Sequence, residues 1–393
     1  MKDVFIAGFA RTPVGSFNGS LAAVPAVKLG AMAAAEAVKM AALDPADVEE
    51  VILGNVFTSG LGAMPARQAA LGAGFPGSVR AALINNGFVS GLGSIIFAAE
   101  ALASREADVV VAGGMENLSR VPYLVEKARF GLRLGSSELL DPIMKDCLWD
   151  EKNDFHVARG VENIARQMGI GRQEQDRYAR QSYSRALEAQ RKGLLEGEVM
   201  PMTIHIGRDR FASLNMDEGP QKFDPDGLAG HSPLLHDGTI TTGNASFLAD
   251  GAAAVVLVSG RAVKRLGIKP VARLAGFSST GVASEMFSIA SAGVIDTLLQ
   301  KARLKKDEIR LFEINEDFAA SSLAVIQQAQ LDPEKVNVNG GSVAIGNPGG
   351  ASGARLLVSL LSSMRRAGTG MGVAALGAPG GEAAAVVVEV EGE

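Results

Sequence analysis

The sequence predicts an α/β fold of two duplicated halves, packed in layers, with an inserted lobe. Three observations predict it. First, Asn85–Gly93 (NNGFVSGLG) and Val336–Arg355 (VNVNGGSVAIGNPGGASGAR) are glycine-rich loops that end in Ser-Gly and enter an apolar helix. Second, each helix leads to a short apolar strand (Val109–Ala112 or Val373–Leu376) and then to glycine. The order loop, Ser-Gly, helix, strand, glycine therefore occurs twice, as a duplicated unit would give, with two loops facing one site. Third, Ala272–Gly281 (ARLAGFSSTG) weakly echoes Val4–Pro13 (VFIAGFARTP).

The elements follow in order. Val4–Gly8 is a short apolar strand. Pro25 sits at a helix start, and Val27–Leu43 has helical spacing that Asp44-Pro45 ends. Val51–Val56 is a near-continuous apolar strand, and Pro65–Gly74 a short helix. Such alternation predicts a mostly parallel sheet covered by helices. Charge, Met and His increase between Ser119 and Gly243, where two helices (His156–Gln167 and Gln173–Lys192) and an irregular run (Phe211–Leu235) form the lobe. Sheet character returns at Ala252–Val258. Then come a helix at Gly293–Ala302, a strand at Ile309–Ile314, a helix at Phe318–Gln328, a strand at Val336–Val338 and the last strand pair. The divisions are 1–118 with 244–268, the lobe 119–243, and 269–393. Six glycines lie between Gly340 and Gly353, where the backbone turns tightly or approaches something closely. A loop feeding a helix start offers free N–H groups to an oxygen-rich ligand, or is a plain strand-to-helix turn.

At 393 residues, 47% of them hydrophobic, the chain has material for two or three domains and a large core. Aromatics are 5%, so Ala and Gly set the packing. A net charge of −5 with no basic run argues against nucleic acid. The single cysteine, Cys147, excludes an internal disulfide and a cysteine-rich zinc site. The four histidines show no metal-ligand spacing. No apolar run reaches the roughly 18 residues of a membrane span, and the N-terminus lacks a signal-peptide core, so a cytoplasmic protein is expected.

The two loops, with Ala10–Gly15, Asn55, Pro65–Gln68, Ala112–Glu116, Gly243–Ser246, Asp250–Ala252 and Asn315-Glu316 with Phe318–Ala320, resemble the thiolase family, in particular its acetyl-CoA acetyltransferases. The resemblance runs from end to end. It implies the thiolase fold, with a mixed five-stranded sheet in each half and a lobe that contributes to CoA binding and subunit contacts. It also implies an acyl-CoA ligand, no other required cofactor, no metal, and a homodimer or homotetramer.

The family's chemistry, by the same resemblance, uses a cysteine nucleophile, a histidine that favours the thiolate, a second cysteine that moves the α-proton, and oxyanion holes. The nucleophile belongs in Ile-Asn-x-x-Cys-x-Ser-Gly, where this chain has Phe88. The histidine belongs in Gly-His-Pro, where it has Asn347. The second cysteine belongs in Leu-Cys-x-Gly-Gly, where it has Gly377. A phenyl ring cannot attack a thioester, an amide can donate a hydrogen bond but not take a proton, and glycine has no side chain. Ser90 matches the family's own Ser-Gly and reads as a helix-start residue. Cys147 falls in the lobe and reads as an ordinary residue.

What remains is binding apparatus. Asn315 matches the asparagine that holds an oxyanion-hole water. His156 matches a histidine near the CoA sulfur, and Ser246 a serine on the pantetheine arm. Phe318 belongs to the same CoA-facing set. Departures add bulk or charge beside them: Phe247, Asp317, Pro379 and Ser291-Ala292-Gly293. Three readings follow: a non-catalytic homologue or inactive partner of an active thiolase, a repurposed acyl-CoA enzyme of the retro-Claisen or decarboxylating kind without a covalent cysteine, and an acyl-CoA sensor. An open, polar cavity beside Phe88 would favour the second.

Overall fold

A computed structural model of the chain describes residues 4–207 and 210–390. The first half contains β1 (Val4–Arg11), α1 (Ala26–Met40), β2 (Glu50–Gly54), α2 (Pro65–Gly72), β3 (Arg80–Ile84), α3 (Ser90–Ala103) and β4 (Val109–Asn117). The next segment supplies α4 (Ala158–Met168), α5 (Arg172–Arg191) and a hairpin of β5 (Met202–Gly207) and β6 (Arg210–Leu214). β7 (Ala249–Ser259) returns to the first half. The second half contains β8 (Ala272–Gly281), α6 (Ala290–Ala302), β9 (Ile309–Ile314), α7 (Ala319–Ala329), α8 (Ser352–Ala367), β10 (Gly370–Ala378) and β11 (Glu382–Val390).

These strands form one sheet in the order β9-β10-β11-β8-β1-β7-β4-β2-β3, with Gly15–Ser16 pairing beside β7. β1 and β8, the two segments that echo each other in sequence, meet antiparallel at the middle through Phe5–Arg273 and Ile6–Ala272. The sheet is mixed, as the family resemblance implies, rather than mostly parallel as the strand–helix alternation predicts. Only β2–β3, β2–β4 and β9–β10 run parallel. The reason is the connections: β10 turns directly into β11 through Pro379–Gly381, and a tight hairpin permits only antiparallel pairing. β3 and the β5–β6 hairpin carry no strand signal strong enough to have been anticipated.

Side chains alternate between two cores along each strand, as strand geometry requires. Ala253, Val255 and Leu257 of β7 share a core with Ala384, Val386 and Val388 of β11, and that core also holds Leu92 of α3 and Leu356 and Leu360 of α8. The opposite face of β7 packs on α1 and α2, and that of β11 on α6. The layers are therefore helices, sheet, central helices, sheet, helices.

α3 and α8 approach each other closely at their N-terminal turns. A methyl group at Gly91 would lie 2.6 Å from the Gly350 carbonyl oxygen, and one at Gly353 would lie 2.6 Å from the Leu92 nitrogen. Close approach, not a bound ligand, accounts for the glycine of each Ser-Gly pair. The loop N–H groups expected to be free are also taken. Gly350 donates to Glu116 (2.9 Å), which also accepts from Asn55 Nδ2 (2.6 Å) and the Val56 nitrogen (2.8 Å). Gly341 donates to Ser182 Oγ, and Val343 to Glu316. A carboxylate of one half thus holds the loop of the other.

The strand expected at Val336–Val338 is absent. Only Val336 bridges to Phe312 of β9. Asn337 adopts a left-handed backbone (φ 47°), and its side chain takes over the pairing. Its Oδ1 accepts from the Ile314 nitrogen (2.9 Å) and its Nδ2 donates to the Ile314 oxygen (3.0 Å). An asparagine tolerates this conformation and supplies both bonds, so the fifth strand of the second half shrinks to one residue. The inserted segment is anchored by the buried Arg11 of β1, which pairs with Glu198 (2.9 Å) and with both oxygens of Asp217 (2.7 and 2.9 Å).

Gly353→Ala forces backbone against backbone, and such overpacking costs about 1–3 kcal/mol. Urea denaturation should show that loss. An unchanged midpoint would contradict the close approach of the central helices.

Candidate functional site

A cavity of about 280 Å³ opens where the two glycine-rich loops meet the inserted segment. The turn before α3 brings Phe88 to it, and the loop before α8 brings Asn347. His156 and Val157 come from the segment leading into α4, Ser246 and Phe247 from the approach to β7, and Asp317 and Phe318 from the turn after β9. The wall is chiefly apolar, so the cavity beside Phe88 is open but not the polar one that the repurposed-enzyme reading calls for.

The structure gathers Phe88, His156, Ser246, Phe318 and Asn347 around this one space. Phe88 is 6% exposed. Its ring is a wall and not a plug, since the cavity persists beside it. Phe247 is accommodated by glycines: a methyl at Gly219 or Gly346 would fall 2.4 or 2.7 Å from its ring. His156 Nδ1 accepts from the Ala158 nitrogen (3.2 Å), which leaves its proton on Nε2, and burial lowers its pKa from the usual value. The Ser246 nitrogen donates to the Asp317 carbonyl (2.9 Å).

Asn315 and Asn347 converge on one atom. Asn315 Nδ2 donates to Asp317 Oδ1 at 2.7 Å, and Asn347 Nδ2 donates to the same oxygen at 2.9 Å. Each amide is oriented from behind. Ser342 Oγ donates to Asn315 Oδ1 (2.7 Å) and itself accepts from the buried Arg355 (3.0 Å). Ser352 Oγ donates to Asn347 Oδ1. Asn315 therefore sits behind Asp317 instead of lining the cavity, so its side-chain donor serves the carboxyl. Asp317, marked in the sequence only as a charge that would repel a ligand, is the polar floor of the space. Burial pushes its carboxyl up to about 7, against the opposing pull of the Asn347 and Asn315 hydrogen bonds. Near neutral pH a large share of it is therefore uncharged, which weakens the expected repulsion.

Gly377 does not face the cavity. It lies in β10, and a methyl there would meet the Phe287 carbonyl oxygen at 2.4 Å. Phe287, which lines the cavity, carried no sequence signal because nothing around it marks a turn that folds back over β10. Ser90 is engaged as a helix-start residue: its Oγ accepts from the Asn86 nitrogen (2.7 Å) and donates to the Gly87 oxygen. Ser291 and Ala292 are buried in α6 and do not line the space. Cys147 is buried, and burial, then the charges of Glu116 and Asp317, push its thiol above the ordinary range, so it holds no reactive thiolate. Among the described residues no cluster of His, Cys, Asp or Glu could hold a metal, and no helix is long and apolar enough to cross a membrane.

Fold and loops together define a thiolase. Sequence models of the thiolase N-terminal and C-terminal domains match residues 4–261 and 268–390, and the chain belongs to the thiolase family. Relatives include acetyl-CoA acetyltransferase 1 of Arabidopsis thaliana, 43% identical over 100% of this chain and 95% of that protein. Another is the acetyl-CoA acetyltransferase of Pseudomonas aeruginosa, 42% identical over 99% of each. The fold matches the crystal structure of the Bacillus anthracis acetyl-CoA acetyltransferase (TM-score 0.96, 38% identity, 99% of each chain). It also matches a thiolase from Ascaris suum in complex with coenzyme A (TM-score 0.94, 36% identity, 99% and 100% of the chains).

Two predictions follow from the buried groups. Gly377→Cys should destabilise the fold by about 1–3 kcal/mol, because the Phe287 backbone must move; a chemical-denaturation midpoint equal to the parent's would refute the contact. Burial raises Glu116 to about 7, Glu313 to about 8 and Asp317 to about 7. Carboxyls raised in the folded state contribute stability that is complete below their unfolded pKa near 4 and is lost progressively from there until pH has passed their folded values of 7–8. The melting temperature should therefore fall between pH 6 and pH 9, and a rise across that window in a thermal scan would contradict the assignment.

Proposed function

We propose that this thiolase-family chain holds an acyl-CoA, with the acyl end in the cavity, and does not form an acyl-enzyme. The observation that carries this reading is the retained cavity walled by the Phe88 ring, while the neighbouring Ser90 hydroxyl is committed to the turn before α3 and the buried Cys147 thiol is held protonated. A phenyl ring at 88 supplies shape and no electron pair for attack on a thioester. Its relatives are named acetyl-CoA acetyltransferases and one structural neighbour was solved with coenzyme A, which supports an acyl-CoA as the ligand. His156, Ser246 and Phe318 are the contacts assigned to it, with Asn347 at its acyl end and Asn315 acting there only through Asp317.

In this reading the chain is a non-catalytic homologue, cytoplasmic, working as a homo-oligomer or as the inactive partner of an active thiolase. Its units are 1–118 with 244–268, 119–243 and 269–393. A second reading, a repurposed acyl-CoA enzyme without a covalent cysteine, is favoured by one observation: a titratable carboxyl, Asp317, stands in the cavity.

Calorimetric titration with CoA and acetyl-CoA, and an acyl-transfer assay between two CoA thioesters on the same sample, test the reading. Binding without transfer is the expected result. Acyl transfer that disappears on changing Ser90 or Asn347 would overturn it.

A further inference from the structure

We propose that Asp317 is the cavity's recognition group, binding as a neutral acid the carbonyl oxygen of an otherwise apolar ligand through its second oxygen, Oδ2. The ligand class is an uncharged carbonyl head (thioester, ketone or ester) on an aliphatic or aromatic body. This deepens the acyl-binding reading above and rests on it only for the CoA portion of the ligand.

The geometry fixes which oxygen carries the proton. Oδ1 receives both amides, from Asn315 at 2.7 Å and Asn347 at 2.9 Å, so its lone pairs are committed. With Ser342 and Ser352 donating to the two amide oxygens, both amides present their N–H groups to Asp317. Arg355, which can only donate, fixes the far end of the Ser342 chain. The acid proton is thus directed to Oδ2, which among the described residues receives no hydrogen bond from another residue's side chain; the carboxyl's remaining hydrogen bond comes from Asp317's own backbone N–H. Asp317 lines the cavity, the space to which the open donor is assigned.

The walls select the rest of the ligand. Phe88, Phe247, Phe287, Phe318, Leu148 and Leu234 contribute to the surface around Asp317. An apolar cavity of about 150 Å³ holds a benzene molecule. At about 280 Å³ this one takes a larger group, such as a medium acyl chain or an aromatic acyl. A carboxylate head is selected against, because it would desolvate beside a group that is itself half ionised near neutral pH. A carbonyl head instead accepts the one donor on offer, and leaving that donor unpaired in an apolar wall is costly.

Raised to about 7 by burial, Asp317 is available as a donor below neutrality and is lost above it. Among the other titratable groups around it, His156 across the cavity is lowered by burial and Cys147 behind it is raised, so neither changes charge between pH 7 and 9. Glu116 also titrates near 7, but it faces Asn55, Val56 and Gly350 and not the cavity. A variant that lacks the Asp317 acid separates the two.

The test titrates the whole protein with 2-decanone and, separately, with octanoyl-CoA at pH 6, 7, 8 and 9, by calorimetry or ligand-observed NMR. When only the protonated form binds, apparent affinity falls with the fraction protonated, so the ketone should bind roughly tenfold more weakly for each pH unit above 7. Asp317→Asn, close in shape, should bind with a flat pH profile. Infrared difference spectra of the unsubstituted protein should show the protonated carboxyl band near neutral pH and its shift on ligand addition, which keeps the question decidable if the variant folds poorly. Ketone binding with that profile, but no octanoyl-CoA binding, would support Asp317 and sink the acyl-CoA reading. No ketone binding, a flat profile in the unsubstituted protein, or the same profile in Asp317→Asn would overturn the proposal.

Discussion

Everything in this molecule hangs on the contact between the N-terminal turns of α3 and α8. The two helices meet backbone to backbone, with the Gly350 carbonyl against Gly91 and the Leu92 nitrogen against Gly353. Because each turn is the end of a glycine-rich loop, the contact also sets where both loops open. The cavity is the space left between them. Glu116 reinforces the arrangement by reaching from β4 to the Gly350 nitrogen of the opposite half, at the cost of a buried carboxyl. Core, loop geometry and site are thus one construction.

The same contact explains why the site keeps its form while its chemistry differs so much from the pattern that the family resemblance implies. Loop positions are set by the glycine contacts between α3 and α8 and by carboxylates bonded to backbone, and the side chains of residues 88, 347 and 377 make none of those contacts. Side chains at those positions can change while the space between the loops persists. Asn347 shows how such a change is absorbed: its amide is placed in a chain from Ser352 to Asp317, so a new polar network occupies the floor. Phe247 shows it for bulk, since glycines at 219 and 346 make room for the ring.

Much of the fold was legible in the sequence because duplication leaves a repeated order, and because Ser-Gly before an apolar helix is a local signal. The gathering of Phe88, His156, Ser246, Phe318 and Asn347 was legible only through resemblance to a family, as no spacing rule links residues so far apart. Three features escaped. The pairing of β1 with β8 joins the two halves into one sheet, which no strand composition marks, and strand direction depends on connections. The missing strand at Val336–Val338 depends on a single side chain, Asn337, that outcompetes a ladder. Asp317 was read by its formal charge, while burial and two amides determine the state it adopts.

Asn337 has one more consequence, for how the sheet ends. An unpaired strand edge is a template for another chain. At β9 that edge is occupied by the asparagine side chain and the lone bridge at Val336, whereas β3 at the far end carries five residues, exposed or partly exposed, with no described strand on their outer side. A sheet with one sealed rim and one open rim cannot propagate head to tail. If two copies share a continuous sheet, they meet rim to identical rim, and the assembly closes after two. The side chain that shortens the second half also blocks strand addition at the Ile314 end of β9.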